Sequence, residues 1–110
     1  MIATRVLRLS LPAGEVAVTV ELGPLDGSGK SWRCGYGIDW PSRPRRHIAH
    51  GVDAIQAIHQ ALLMVGTELY TSDYHAKGQL SWEKAGDGYG FPVPASIRDV
   101  LVGADREFLG

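Results

Sequence analysis

Cysteine is almost missing from this chain: Cys34 stands alone among 110 residues. No intrachain disulfide can form, and no paired Cys/His framework exists to hold a structural zinc. That usage fits a reducing compartment. Long apolar runs are missing too. The most apolar stretch, Ala54 to Val65, is interrupted by Gln56, His59 and Gln60, far short of a membrane span. Arg5 and Arg8 break the apolar stretch Met1 to Leu11, which a signal-peptide core would need uninterrupted. The expected setting is the cytoplasm, with no membrane partner. Charge of one sign is also absent: 11 basic residues face 12 acidic ones, for a net charge of -1 and a pI near 6.4. Nucleic-acid modules usually carry a clear basic excess, so that class is disfavoured.

Catalytic signatures are equally sparse. No Gly-x-Ser-x-Gly elbow occurs, and no carboxylate pair sits at a local spacing suited to acid and base; Asp39 and Glu83 meet only if the tertiary fold brings them together. Gly29-Lys30-Ser31 has the ending of a phosphate-binding loop, but the glycine required five positions before Gly29 is Pro24. A strand pattern, not the helix N-terminus such a loop needs, follows Lys30. The run Gly86, Gly88 and Gly90 is followed by Phe91 and two prolines and reads as a turn. No cofactor is implied, and the expectation leans away from an enzyme.

What is present describes one α+β domain over residues 1–110. A chain of this length buries roughly 65% of its unfolded surface on folding, enough for a core without metal or disulfide staples. Its hydrophobic fraction of 45% and charged fraction of 21% are ordinary for such a domain. Val6 to Leu11 and Val16 to Leu22 read as strands joined by the turn Pro12-Ala13-Gly14, and Gly23 to Gly29 as an exposed loop. From Trp32 to Trp40, Trp32, Cys34, Tyr36, Ile38 and Trp40 alternate with Arg33, Gly35, Gly37 and Asp39. The bare second face implies a close neighbouring backbone, a bulge or a ligand groove over Gly35 and Gly37. Arg45 to His50 is a short fourth strand after the turn Pro41 to Pro44. Short connections imply an antiparallel meander of four to five strands.

Asp53 to Ser72 is the strongest helical segment, with Asp53 as N-cap and Gln56 at capping-box spacing. Ile55, Ile58, Leu62, Val65, Gly66 and Leu69 form its apolar stripe, and Gly66 implies close packing against the sheet. This one long helix should cross one sheet face. Gln79 to Glu83 reads as a fifth strand. Ser96 with Asp99 caps a short helix, or Ile97 to Val102 forms a strand.

Of the four histidines, His47 and His50 fall on opposite faces of a strand, which argues against a shared metal ion. His59 flanks the helical stripe as a partly buried core residue, and His75 sits in a loop. Cys34, on the aromatic face, reads as an inert core thiol. Residues 1–50 carry seven basic and four acidic residues, and residues 51–110 carry four and eight, so the molecule is polarised. Arg43, Arg45, Arg46 and His47 form the one dense basic cluster, beside Trp40. It suits an acidic protein partner, since arginine and tryptophan anchor interfaces, and the alternative is phosphate pairing with a base stacked on the indole.

The strand Trp32-x-Cys34-x-Tyr36-x-Ile38, the helix start Asp53-Ala54-Ile55-Gln56-Ala57, and Gly78-Gln79-Leu80-Ser81-Trp82 ahead of Gly90-Phe91-Pro92 resemble a family of small bacterial proteins built on a domain of unknown function. The resemblance covers residues 30–94 and implies no activity or catalytic residue. The architecture also resembles small bacterial immunity proteins, which cap a toxin by surface complementarity. The expectation is a non-catalytic, intracellular protein-interaction domain, monomer or homodimer, binding through Trp40, Arg43, Arg45, Arg46 and His47. Weak nucleic-acid binding at the same cluster and a small-ligand enzyme with a site hidden in the sequence are the alternatives.

Overall fold

The computed structural model describes residues 1–109. Five strands form one antiparallel sheet: β1 (Ala3–Leu11), β2 (Gly14–Ser28), β3 (Ser31–Asp39), β4 (Pro44–Gly51) and β5 (Leu80–Ser81). Their spatial order is β4-β3-β2-β1-β5, the meander expected, with β5 added beside β1. The helices are α1 (Ala54–Tyr70), α2 (Asp73–Ala76) and α3 (Gly103–Leu109), with a 3-10 turn over Ala95–Val100. The fold is α+β, but helix α1 is joined on the sheet by shorter helical pieces.

Register explains the core. Leu7 and Leu9 of β1, Val18 and Val20 of β2, Cys34, Tyr36 and Ile38 of β3 and Ala49 of β4 share one face and are buried. Helix α1 covers this aromatic face, and Tyr89, Phe91, Val93 and Leu101 complete the same apolar cluster. The other face exposes Val6 and Ile48.

Gly23 to Gly29 is not a loop. Strand β2 continues to Ser28 and turns into β3 through only Gly29 and Lys30, with Gly29 at φ +56°. A side chain disfavours that backbone conformation, so glycine makes the tight turn. The irregularity expected of the glycine-rich segment is absorbed as a bulge. Between Leu22 opposite Tyr36 and Leu25 opposite Cys34, β2 carries one extra residue, and both leucines keep facing the core.

Helix α1 begins as its sequence dictates. Asp53 Oδ1 accepts from the Gln56 amide at 2.7 Å, and Gln56 Oε1 accepts from the Val52 amide at 2.7 Å, one residue further back than in a standard capping box. Its buried stripe is rotated from the expected one. Ala57, Ala61, Val65 and Leu69 face the sheet, Gly66 and Tyr70 are buried beside them, Ile58 and Leu62 are half-buried, and Ile55 is 78% exposed. The cause is the short entry. Only Val52 and Asp53 separate β4 from α1, and the helix start lies so close that a Cβ on Gly51 would strike the Ala57 amide nitrogen. Only small side chains fit beneath the helix there. His59, expected at a buried flank, is consequently exposed.

Gly66 also has a different neighbour from the one expected. The backbone of Pro92, not the sheet, lies against it. The fifth strand shrinks to Leu80–Ser81, and residues 95–100 are a 3-10 turn without a side-chain cap. The Ser96–Asp99 capping pair therefore does not form.

Candidate functional site

The basic cluster lies on β4, an edge strand, and strand alternation divides it. Arg45 and His47 register with Ile38 and Tyr36 on the helix-covered face, whereas Arg46 registers with Gly37 on the open face. The Arg46 guanidinium occupies the space a side chain at 37 would need, and donates to Asp39 Oδ1 at 2.9 Å and to the Arg45 carbonyl at 3.0 Å. Arg43 is exposed in the turn before β4. Trp40 is half-buried and stacks on Tyr74 of α2, with centroids 5.2 Å apart. Four of the five residues anticipated from sequence thus lie on or around one side of the β4 edge, and Arg46 lies on the other.

The side chain that organises this region is Glu68 of α1. Arg45 Nε donates to Glu68 Oε1 at 3.0 Å, and the Tyr36 hydroxyl donates to Glu68 Oε2. Arg45 Nη2 lies 3.0 Å from His47 Nε2, which must therefore accept, and the His47 ring stacks on Tyr36 at 6.0 Å. Burial pushes the Tyr36 hydroxyl pKa upward, and the bond to Glu68 and its negative charge push it further. The Glu68 side chain is 19% exposed and that of Arg45 46%, so the ion pair is half in water and contributes at most about 1 kcal/mol. Its effect is to fix positions. It holds the β4 side chains against the flank of α1.

Two grooves meet at this pair. One, of about 590 Å³, runs between the β4 side chains and α1 and has an apolar floor from Leu63, Met64 and Pro94. The other, of about 460 Å³, is polar and is lined by Trp40, Arg43, Asp73, Tyr74 and Lys77. Both are lined by Arg45 and Glu68, so the two adjoin at that ion pair and together form the concave region between β4, α1 and α2. It can offer an apolar surface, an aromatic end and cations along one rim. The groove expected over Gly35 and Gly37 is a hollow of about 260 Å³. The bulge at Gly23 and Pro24 packs beside Gly35, and Arg46 crosses Gly37.

A second polar group lies apart from these grooves, inside the protein. Asp105 is 3% exposed and accepts from the Tyr70 hydroxyl at 2.5 Å and from the amides of Tyr89 and Gly90, each at 2.8 Å. Arg5 donates to the carbonyls of the same two residues at 3.1 Å, and its guanidinium stacks 3.9 Å over Trp82. Burial lowers the Arg5 pKa from its ordinary value, with Asp105 acting the other way. His75, in α2 and not in a loop, bonds the Tyr89 hydroxyl, and burial lowers its pKa. This network ties α3 and the glycine-rich segment to the sheet.

His47 and His50 do lie on opposite faces of β4, and no group of three metal-ligating side chains occurs among the described residues. Cys34 is fully buried and its thiol pKa is raised by burial, as an unreactive core thiol requires. Asp39 pairs with Arg46 and Glu83 sits in the bridge between Trp82 and Lys84.

Sequence reasoning missed Glu68, Tyr74, Lys77 and Asp105. For Glu68 a signal existed: it lies three residues after Val65, on the flank of the buried stripe, where a carboxylate needs partners. For Tyr74, Lys77 and Asp105 no local pattern pointed to their neighbours. No helix among the described residues is long and apolar enough to cross a membrane. Neither a curated protein nor a solved structure matches the chain. Residues 3–93, from β1 through the segment packed on Gly66, match the family model described as Domain of unknown function (DUF6968), and the chain belongs to that family.

Proposed function

We propose that this domain is a non-catalytic interaction module that binds an acidic protein through the concavity between β4 and α1. The observation that carries the reading is the joining of the two grooves at Arg45, with Trp40, Arg43 and Lys77 on one side and Leu63, Met64 and Pro94 on the other. An apolar floor beside aromatic and arginine anchors is the composition of an interface centre. From Trp40 to Val52 there is no acidic residue, so the β4 side of the concavity is cationic, facing Glu68 and Asp73 across the polar groove. The polar groups within the concavity bond one another, Tyr36 and Arg45 through Glu68, which suits positioning more than chemistry.

An immunity-type inhibitor acting in the bacterial cytoplasm, which silences an enzyme by covering it, is the form of this reading that the sequence resemblance suggests. Nucleic-acid binding is less favoured. Arg45 and Arg46 point to opposite faces and pair with Glu68 and Asp39, so the cluster does not form a row of cations along one backbone track.

The test is copurification of the tagged protein from its own cells at low and moderate salt, beside an Arg43/Arg45/Lys77 triple-alanine variant, with partners identified by mass spectrometry. The expected result is a stoichiometric acidic protein that the variant loses. Recovery of the same partner by both proteins would refute the assignment of this surface.

A further inference from the structure

Strand β4 closes one end of the sheet, and no strand among the described residues pairs with its outer edge. Residues Pro44–Ile48 are all exposed, and among the described residues no backbone hydrogen bond from another element reaches Arg45 to His50 except from β3. An edge strand of this kind presents a row of unused amide and carbonyl groups. We propose that β4 is the docking edge itself: an extended, acidic segment of the partner protein adds to it as a sixth strand. This inference rests on the acidic-partner reading above and specifies how that partner is held.

The side chains beside the edge define the occupant. An added strand would alternate its residues between the two faces. Residues on the covered face would lie beside Arg45 and His47 and above the apolar groove formed with Leu63 and Met64. Those on the open face would lie beside Arg46, Ile48 and His50. Cross-strand neighbours on both faces are therefore mostly cationic or imidazole, with Ile48 and the groove floor as apolar points. Carboxylates interspersed with small apolar side chains complement that pattern, because opposite charges directly across a ladder attract. Asp39 and Glu68, the acids that pair with Arg46 and Arg45, belong to β3 and α1 and lie behind the edge.

A second copy of this chain fits less well. Antiparallel pairing of β4 with itself centred on Arg46 would set the Arg46 guanidiniums of the two copies against each other and flank them with both Arg45 side chains, and like charges facing each other destabilise a ladder.

The probe is a labelled peptide of three Glu-Val repeats, measured by fluorescence anisotropy at low salt. Alongside it run two versions N-methylated at alternate amides, one series for each peptide edge, and poly-glutamate as a charge control. Strand addition predicts that one methylated series binds about tenfold or more weakly, since several ladder bonds are lost, while the other binds like the parent. It also predicts that amides of residues 44–50 shift in a nitrogen-proton correlation spectrum and exchange with solvent more slowly. If both methylated series bind like the parent, strand addition is overturned and the acidic-partner reading stands. If neither the parent nor poly-glutamate binds, that reading fails as well. Concentration-dependent dimerisation that protects the same amides without peptide, or displacement of the parent by an equally charged oligonucleotide, would overturn the choice of occupant.

Discussion

Replacing Gly66 with alanine sets two principles against each other. In an isolated helix the change is favourable by about 1 kcal/mol, because alanine has the higher helix propensity. Gly66 is buried in α1, and a Cβ placed there would overlap the carbonyl oxygen of Pro92, stand 2.9 Å from its carbonyl carbon and 3.2 Å from Val93 Cγ1. The main obstacle is backbone, so no rotamer change relieves it. Either α1 or the 91–93 segment must move, and Phe91 and Val93 are buried in the core. Overpacking of this kind costs about 1–3 kcal/mol and somewhat more where backbone must shift, which exceeds the propensity gain. The expected net effect of Gly66→Ala is a loss of about 1–2 kcal/mol, or a fall in Tm of roughly 5–15 °C for a domain of this size. Urea unfolding followed by tryptophan fluorescence and circular dichroism measures it, with the midpoint lowered and the slope unchanged. An unchanged or raised midpoint would refute the close approach of Pro92 to the helix.

Asp105→Asn should destabilise the fold by about 2–4 kcal/mol, since the carboxylate receives three hydrogen bonds while buried, and Tyr70→Phe by about 1–2 kcal/mol; additivity in the double variant would argue against a shared network. Acid should weaken the protein through His75. Burial lowers its folded pKa below the ordinary 6.5, so the unfolded chain takes up the proton first, and stability present above about pH 6.5 is lost as pH falls through the folded value. His75→Gln should flatten that part of the stability profile, and an identical profile would remove His75 as its source. At the alkaline end, Tyr36, Tyr70 and Tyr89 have folded pKa values raised above 10, so stability should fall as pH rises past about 10. Glu68→Gln, which loosens the hold on Arg45 and Tyr36, should weaken binding of poly-glutamate at low salt, and binding strengthened several-fold would show that Glu68 neutralises Arg45 more than it positions it.

The sheet and the main helix were legible because both periodicities are strong. Val16, Val18 and Val20 alternate, and the Trp32 to Ile38 strand carries its large residues at every second position, so a meander with a buried aromatic face follows from spacing. Asp53 announces the start of α1 through a local bond. The glycines misled where composition was taken for flexibility. Gly23 to Ser28 remains strand because partners on β3 hold it, and a single-strand reading has no access to that pairing. The candidate surface was half legible: Trp40, Arg43, Arg45 and His47 were visible as a cluster, whereas Glu68, Tyr74 and Lys77 arrive from α1 and the α2 region.

By itself the sequence determined the class of fold, the position of the first helix and the chemical character of the β4 edge, because each rests on contacts within a few residues or on a repeat of two or four. The tertiary structure alone decided the rotation of α1, which two connecting residues and the close approach of Gly51 to Ala57 impose, and the carboxylate partners of Arg46 and Arg45, which lie seven and 23 residues away. It also decided the burial of Asp105 among Tyr70, Tyr89 and Gly90. A carboxylate there is stable only once three distant donors have been brought around it, and nothing in the local sequence encodes that meeting.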